Sequence, residues 1–410
     1  MRTLNLSSRW AASLALIPAL AAVISAGPTY IPVASGQFYT GQYYFDGKKS
    51  ALAGNAGLTF VPALRYSSRF SLIPTIESRY RGTRSAEELA GGTTLFQDTW
   101  ENGLSIKAVH GLDRHWKIRE NLGVRTKWFR ETTNETWRKG LYDYRTFDAG
   151  GEVEHKWSPS LSVAGGYDYS FLMFPNYESL ESNQNSDLAR EYAGKDVLNE
   201  HIHLFSLRSE TPFFFGLHTQ TQLYYSPRNY TDQHVVVLTG LLTAEKRTDS
   251  VVGGSLSFGR PFKLSQRASL VTNLEYGYTG LNSNQNHYDA RLTTFIGDFY
   301  DYVQNQGSLQ LTWGLNVGES GPLTFETGVS YSKRNYSHRP IQSADGNYLS
   351  EKLNVTETDI NIGFGYPLSK SLRLRVISNF GRSRSNNHYE ALYRYNYSNA
   401  NYLFGFTYEY

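Results

Sequence analysis

From Ser308 to Val317 the chain alternates without a break. Leu309, Leu311, Trp313, Leu315 and Val317 interleave with Ser308, Gln310, Thr312, Gly314 and Asn316. Successive side chains of a strand point to opposite faces, so this pattern specifies a strand with one apolar and one polar face. It recurs at Leu161–Met173, where Leu161, Val163, Tyr167, Tyr169, Phe171 and Met173 oppose Ser162, Ala164, Asp168 and Ser170. Phe213–Tyr225 and Ile360–Tyr366 repeat it, and no stretch of comparable length carries a 3.6-residue period. The chain therefore reads as all-β. Its alternating runs reach ten to thirteen residues, about what a tilted strand needs to cross a bilayer. The faces opposite the apolar ones are rich in Gly, Ser, Asn, Gln and charge, which suits a water-filled interior better than a sandwich exterior. Trp116 and Trp128, or Tyr167 and Tyr169, fall near strand ends, as aromatic girdles require. In lipid an open sheet edge would leave backbone groups unpaired, so the sheet must close.

Tight breaks occur at Gly111–His115, Ser158–Ser160, Ser209–Pro212, Gly259–Lys263, Glu319–Pro322 and Pro367–Lys370, with another at Pro62–Arg69. Between them lie longer connections rich in Asn, Ser, Asp and Tyr, at 131–144, 176–197, 226–247, 281–304, 336–351 and 386–394. Short turns at one end and long loops at the other describe an up-and-down transmembrane β-barrel with periplasmic short turns. Counting runs gives sixteen strands, beginning at Gly36–Phe45 and turning at Asp46-Gly47; fourteen follow if that first hairpin stays out of the wall.

Arg2 and Arg9 precede an apolar run from Ala11 to Ile24, followed by Ser25, Ala26 and Gly27. This is the pattern of a secretory signal peptide; the run is too short for a transmembrane helix. The chain thus divides into a signal at 1–26, a short extension at 27–35 and a barrel at 36–410. Composition removes competitors. The 410 residues include no Cys, which excludes disulfide scaffolds, iron–sulfur clusters and thiol nucleophiles. Forty basic residues against 37 acidic, without a charged block, argue against nucleic acid as a partner. A mean hydropathy of −0.46 excludes a helical membrane bundle.

The last residues carry the one motif-like signal. Tyr402, Phe404, Phe406, Tyr408 and Tyr410 are aromatic at alternate positions up to the C-terminus, with Gly405 five residues before it. This resembles the terminal strand by which Gram-negative outer-membrane porin-like β-barrels are recognised by their assembly machinery, although Leu403 stands where a polar residue is usual. With its Tyr-rich strands and Asn/Ser-rich loops, the chain is most similar to barrels of the β-barrel porin type. The resemblance implies outer-membrane lipid and the barrel assembly machinery as partners, and leaves a homo-oligomer and a periplasmic export partner open.

Parity assigns the lining of the lumen. With Trp116, Ile118, Leu122, Val124 and Trp128 toward lipid, Lys117, Arg119, Arg125 and Lys127 point inward. Leu372, Leu374 and Val376 likewise leave Arg373 and Arg375 inward, while Glu152, Glu154, Asp168, Glu275 and Glu326 are expected on other walls. A cationic strip facing acidic groups would orient solutes and set ion preference; mutual neutralisation is the plainer reading of any single charge. The loops at 176–197 and 281–304, the second with Phe295, Ile296, Phe299 and Tyr300, are candidates for constricting the mouth. His201 and His203 share a face without a third ligand nearby and are read as lumen or rim side chains, so no metal, cofactor or catalytic residue is expected. The function that follows is a channel for small hydrophilic solutes, with anionic or sugar-like solutes preferred and no enzymatic activity. Polymer export with a periplasmic partner and a structural or adhesive surface barrel are the competitors.

Overall fold

The computed structural model describes residues 27–82, 98–130, 135–177, 196–212, 216–289, 294–390 and 394–410. The segment 1–26, expected to be an export signal, lies outside them. The strands are β1 (Thr29–Phe45), β2 (Lys48–Arg65), β3 (Phe70–Gly82), β4 (Asp98–Gly111), β5 (Trp116–Arg130), β6 (Tyr144–Lys156), β7 (Ser162–Met173), β8 (Glu200–Pro212), β9 (His218–Val236), β10 (Leu242–Lys263), β11 (Ala268–Ser283), β12 (His287–Asp289), β13 (Thr294–Ile296), β14 (Tyr302–Asn316), β15 (Pro322–Gln342), β16 (Tyr348–Pro367), β17 (Leu372–Ser385) and β18 (Tyr397–Glu409). All but β12 and β13, which form a small separate sheet, pair with their neighbours in one closed sixteen-stranded antiparallel barrel. The last strand returns to the first, from Ser35↔Glu409 to Phe45↔Asn399.

Residues 27–35 are not an extension ahead of the wall. β1 begins at Thr29, and Thr29 to Ser35 pair with Arg65 to Thr59. β2 runs to Arg65 rather than stopping near residue 61, and the added length of β1 supplies partners for its backbone.

The barrel has no conventional core. Large apolar side chains are instead its most exposed ones, including Leu52 (77%), Leu122 (64%) and Leu58 (59%), with Phe404 and Phe406 on the terminal strand. An apolar band of this extent on a closed wall is stable only against hydrocarbon. A small cluster does lie on the opposite face, where Tyr39, Tyr43, Ala53 and Leu403 are buried together against Phe45 and Ile377. Leu403 packs here, which accounts for an apolar side chain at a position usually polar.

Five of the short connections share one device. At Tyr66–Phe70, Leu112–Trp116, Trp157–Leu161, Leu264–Ala268 and Leu368–Leu372 the first residue's amide donates to the last residue's carbonyl. The second residue, Ser67, Asp113, Ser158, Ser265 or Ser369, accepts from the backbone amides two and three positions on, at 2.7–3.3 Å. A short polar side chain bonded to its own following backbone substitutes for the ladder that ends there. Two expected turns move. β8 extends through Pro212 and Gly216 turns with φ +72° before β9, while the next turn comes after Lys263 rather than before it. In the first place the strand includes the Pro that seemed to end it, and in the second it continues past Pro261 to Lys263.

The long-loop end differs more from expectation. Asp46 and Gly47, both at positive φ, make a two-residue turn there. β9, β10, β15 and β16, of 19, 22, 21 and 20 residues, absorb most of the connections expected at 226–247 and 336–351, leaving only 237–241 and 343–347 outside strands. A crossing takes about ten residues, so these strands outrun the apolar band.

Backbone amides of Trp116 and His115 hold the exposed Asp113 carboxyl below its ordinary pKa. The cap therefore stabilises the turn fully above the unfolded value, about 3.9, and is lost as pH falls through the lowered native value. The His115 and Trp116 amide proton shifts are expected to titrate accordingly in an NMR series, while those of Arg69 and Phe70, capped by Ser67, stay constant.

Candidate functional site: the inner face

Paired residues of an antiparallel ladder project to the same face, so the register carries one surface around the barrel. Glu77↔Gly103↔Arg125, Lys117↔Glu154, Arg119↔Glu152 and Asn121↔Gly150↔Asp168 share it. Ser257↔Glu275↔Ser308, Thr312↔Glu326↔Gly363 and Gly365↔Arg375 continue it, with Lys127 and Arg373 in phase. The exposed apolar side chains on these strands, Val271 and Leu349 excepted, have the opposite parity, so this is the inner face.

Glycine recurs on it for a geometric reason. On a concave surface side chains converge, and a glycine lets residues two strands apart meet above it. Arg125 reaches Glu77 (4.0 Å) over Gly103, and Arg375 reaches Glu326 (2.8 Å) over Gly363. Arg208 reaches Glu152 (3.2 Å) past Ala164 and Gly166, while Tyr224 meets Thr279 (2.9 Å) over Gly253. Over Gly150, the Asn121 amide donates to Asp168 (3.3 Å), and a Cβ added to that glycine would collide with the Asp168 carboxylate.

The charges are paired sideways rather than across the lumen. Arg119 donates to both Glu152 and Glu154, Lys117 lies 3.4 Å from Glu154, and Arg125 lies 3.3 Å from Glu101. The expectation of a cationic strip facing a remote acidic wall is thus corrected: Glu152, Glu154 and Asp168 stand one or two strands from the cations. Lys117, Arg119, Arg125, Arg208 and Arg375 each find a counter-charge one or two strands away. Lys127 lies over the Phe129 and Tyr144 rings, at 5.1 and 5.8 Å. Lys107, Arg119, Asn121, Glu152, Asp168, Arg208 and Glu210 line a recess of about 500 Å³.

His201 and His203 are corrected in the other direction. Their parity is that of Phe205 and Leu207, both exposed, and they stack beside Tyr169, Phe171 and Tyr167 on the outer face. Tyr169 and Tyr167 hydroxyls bond their Nδ1 atoms at 2.7 and 2.8 Å. Here imidazole belongs to an aromatic girdle.

At the long-loop end the connection between β11 and β14 packs on its neighbours. Gln285 is fully buried; its side chain accepts from the Val236 amide (3.0 Å) and donates to the His234 carbonyl (3.0 Å). Arg247, buried, is bidentate to Asp249 (2.9 and 2.8 Å) and sandwiched between the Tyr230 and Tyr300 rings. Phe299 stacks on His287 (3.9 Å) beneath Arg339, and Phe295 packs at a tilt against Tyr288 (5.0 Å). The aromatic residues foreseen in 281–304 thus hold the loops to one another. The other candidate loop, from 178 to 195, lies outside the described residues.

These features define a transmembrane β-barrel with a polar, charge-paired interior. No protein-family model matches the chain and no curated protein does. Among solved structures it is similar to Acinetobacter baumannii OccAB1 (10% identity, 92% of this chain and 96% of that one, TM-score 0.46). Pseudomonas aeruginosa OccK3 matches at 11% identity over 92% and 96%, with a TM-score of 0.44. The outer-membrane-expressed OmpT of Vibrio cholerae matches at 11% over 94% and 99%, with a TM-score of 0.43. The architecture described above rests on this chain's own strand register.

Valine at Gly150 should overpack the inner face and cost about 1–3 kcal/mol. Valine at the outward Gly165, where an added Cβ meets nothing within 4 Å, should leave stability unchanged. The temperature at which the refolded barrel loses its heat-modifiable gel mobility measures both.

Proposed function

We propose that the chain is an outer-membrane channel for small hydrophilic solutes, with anionic or sugar-like solutes preferred. The observation that carries this is the division of one closed wall into an apolar outer band and an inner face lined by charge and polar groups. In this reading residues 1–26 are a cleaved export signal, the short turns face the periplasm and the outward-facing aromatics of β18 are read by the assembly machinery. Lys117, Arg119, Arg125, Lys127, Arg373 and Arg375, with Glu152, Glu154, Asp168, Glu275 and Glu326, line the path. Paired charges of both signs around the recess at Arg119 and Asp168 offer a polyhydroxylated acid a donor and an acceptor within one side-chain length.

The Arg69, Arg114, Arg267 and Lys370 side chains on the repeated short turns favour a second reading, polymer export with an acidic periplasmic partner docked on that collar. Planar-bilayer recording separates the two. The refolded protein alone should conduct steadily; a silent barrel that conducts only with a partner supports export. Replacing Lys117, Arg119, Arg125 and Lys127 together by Ser leaves Glu77, Glu101, Glu152 and Glu154 short of their counter-charges. The reversal potential in a salt gradient should then move toward cation preference, and an unmoved potential would remove these side chains from the permeation path.

A further inference from the structure

On the outer face of the β14–β18 wall the apolar band ends in a compact group of cations. The row Leu309↔Val329↔Ile360↔Phe380 is apolar; the next toward the long-loop end is Gly307↔Tyr331↔Thr358↔Arg382↔Ser398, and the one after it Asn305↔Lys333↔Thr356↔Arg384. Lys333, Arg382 and Arg384 are exposed. They occupy two adjacent rows on strands separated only by β16, so their Cα atoms lie within about 10–12 Å of one another. Aromatic side chains sit directly below and beside them, with Tyr402 edge-on to Phe380 (5.7 Å) and to Tyr44 (5.8 Å).

Most arginines at this end have a partner. Arg130 pairs with Asp98 (2.5 Å), Arg394 with Asp46, Arg247 with Asp249, and Arg339 bonds the Tyr395 hydroxyl (2.6 Å). Among the described residues the Lys333, Arg382 and Arg384 side chains have neither an ion pair nor a hydrogen bond. Three unpaired cations on the lipid-facing side, one turn of the pleat above the aromatic girdle, stand at the height of lipid headgroups. The Thr356 and Thr358 hydroxyls between them add neutral donors suited to phosphate oxygens.

We propose that Lys333, Arg382 and Arg384, with Thr356 and Thr358, form an exterior binding site for a phosphorylated glycolipid of the outer leaflet. The assignment rests on the outer-membrane orientation proposed above, which puts the long-loop end in the leaflet that carries acylated phosphosugars. Planar guanidinium groups take phosphate oxygens bidentately, and the acyl chains then lie along Val329, Ile360 and Phe380.

The test is native mass spectrometry of the refolded mature chain in detergent, titrated with diphosphoryl lipid A. Wild-type protein should retain the lipid. The triple variant Lys333→Ser, Arg382→Ser, Arg384→Ser should bind about 100-fold more weakly, and each single variant about fivefold. Arg145→Ser, an exposed outward cation on β6, should leave binding unchanged. Equal binding by the triple variant, or equal retention of enzymatically dephosphorylated lipid by wild type, overturns the assignment. So does equal retention of phosphatidylglycerol, because the site would then be selective for charge alone. Conductance of the triple variant reads the channel function separately. A conducting protein that binds no lipid A loses only the exterior site, and a silent one that binds it loses only the channel reading.

Discussion

A backbone amide or carbonyl left unpaired in hydrocarbon costs several kcal/mol, and everything else in this structure follows from avoiding that cost. The wall closes by laying β18 along β1, down to the mutual bonds of Tyr410 and Ala34 at 2.8 and 3.2 Å. That seam needs the two backbones close together. Gly405 stands where a Cβ would collide with the Phe38 carbonyl, and Gly41 where it would meet Tyr402. The terminal strand therefore serves two ends at once: from Tyr402 to Tyr408 its even residues are aromatic toward lipid, and Gly405 on the other face leaves room for the joint.

Closure also fixes the chemistry inside. A cylinder offers its outward side chains more room than its inward ones, and the inner face compensates with glycine. Each such glycine brings together groups that a flat sheet would hold apart, which is why Glu152 has cationic partners on both sides, Arg119 and Arg208. Charges that would be costly alone are neutralised by neighbours, and the interior presents donors and acceptors in alternation rather than one sign of field.

Much of this was legible in the chain because parity is a property of the sequence. Trp116, Leu122 and Val124 fix where Lys117 and Arg125 point, and the sixteen-strand count needed only the turns. Lateral pairing was not legible, since the partner of Arg119 depends on the register between β5 and β6, which no local pattern specifies. His201 and His203, expected in the lumen or at the rim, share the parity of Phe205 and Leu207 and so face outward, which shows that parity outweighs polarity as a guide to the wet face. Long hairpins hid behind polar composition: the residues around 226–247 are hydrophilic because those strands leave the bilayer, not because they leave the sheet. The five-residue turn pattern, an apolar residue, Ser or Asp, two further residues and an apolar or small one, was present at each site and needed only to be compared across the chain.

Each of those turns is capped by its own side chain, and four of them also accept an amide from a neighbouring strand, at the Arg69, His115, Arg267 and Ser371 carbonyls. A hairpin ended this way carries its own reversal of direction in five residues. Adding or deleting one changes the circumference by two strands while leaving the seam and the side-chain caps of the other turns intact. The diameter of such a protein is then free to drift in steps of one module, with bore size adjusted by duplication rather than by redesign.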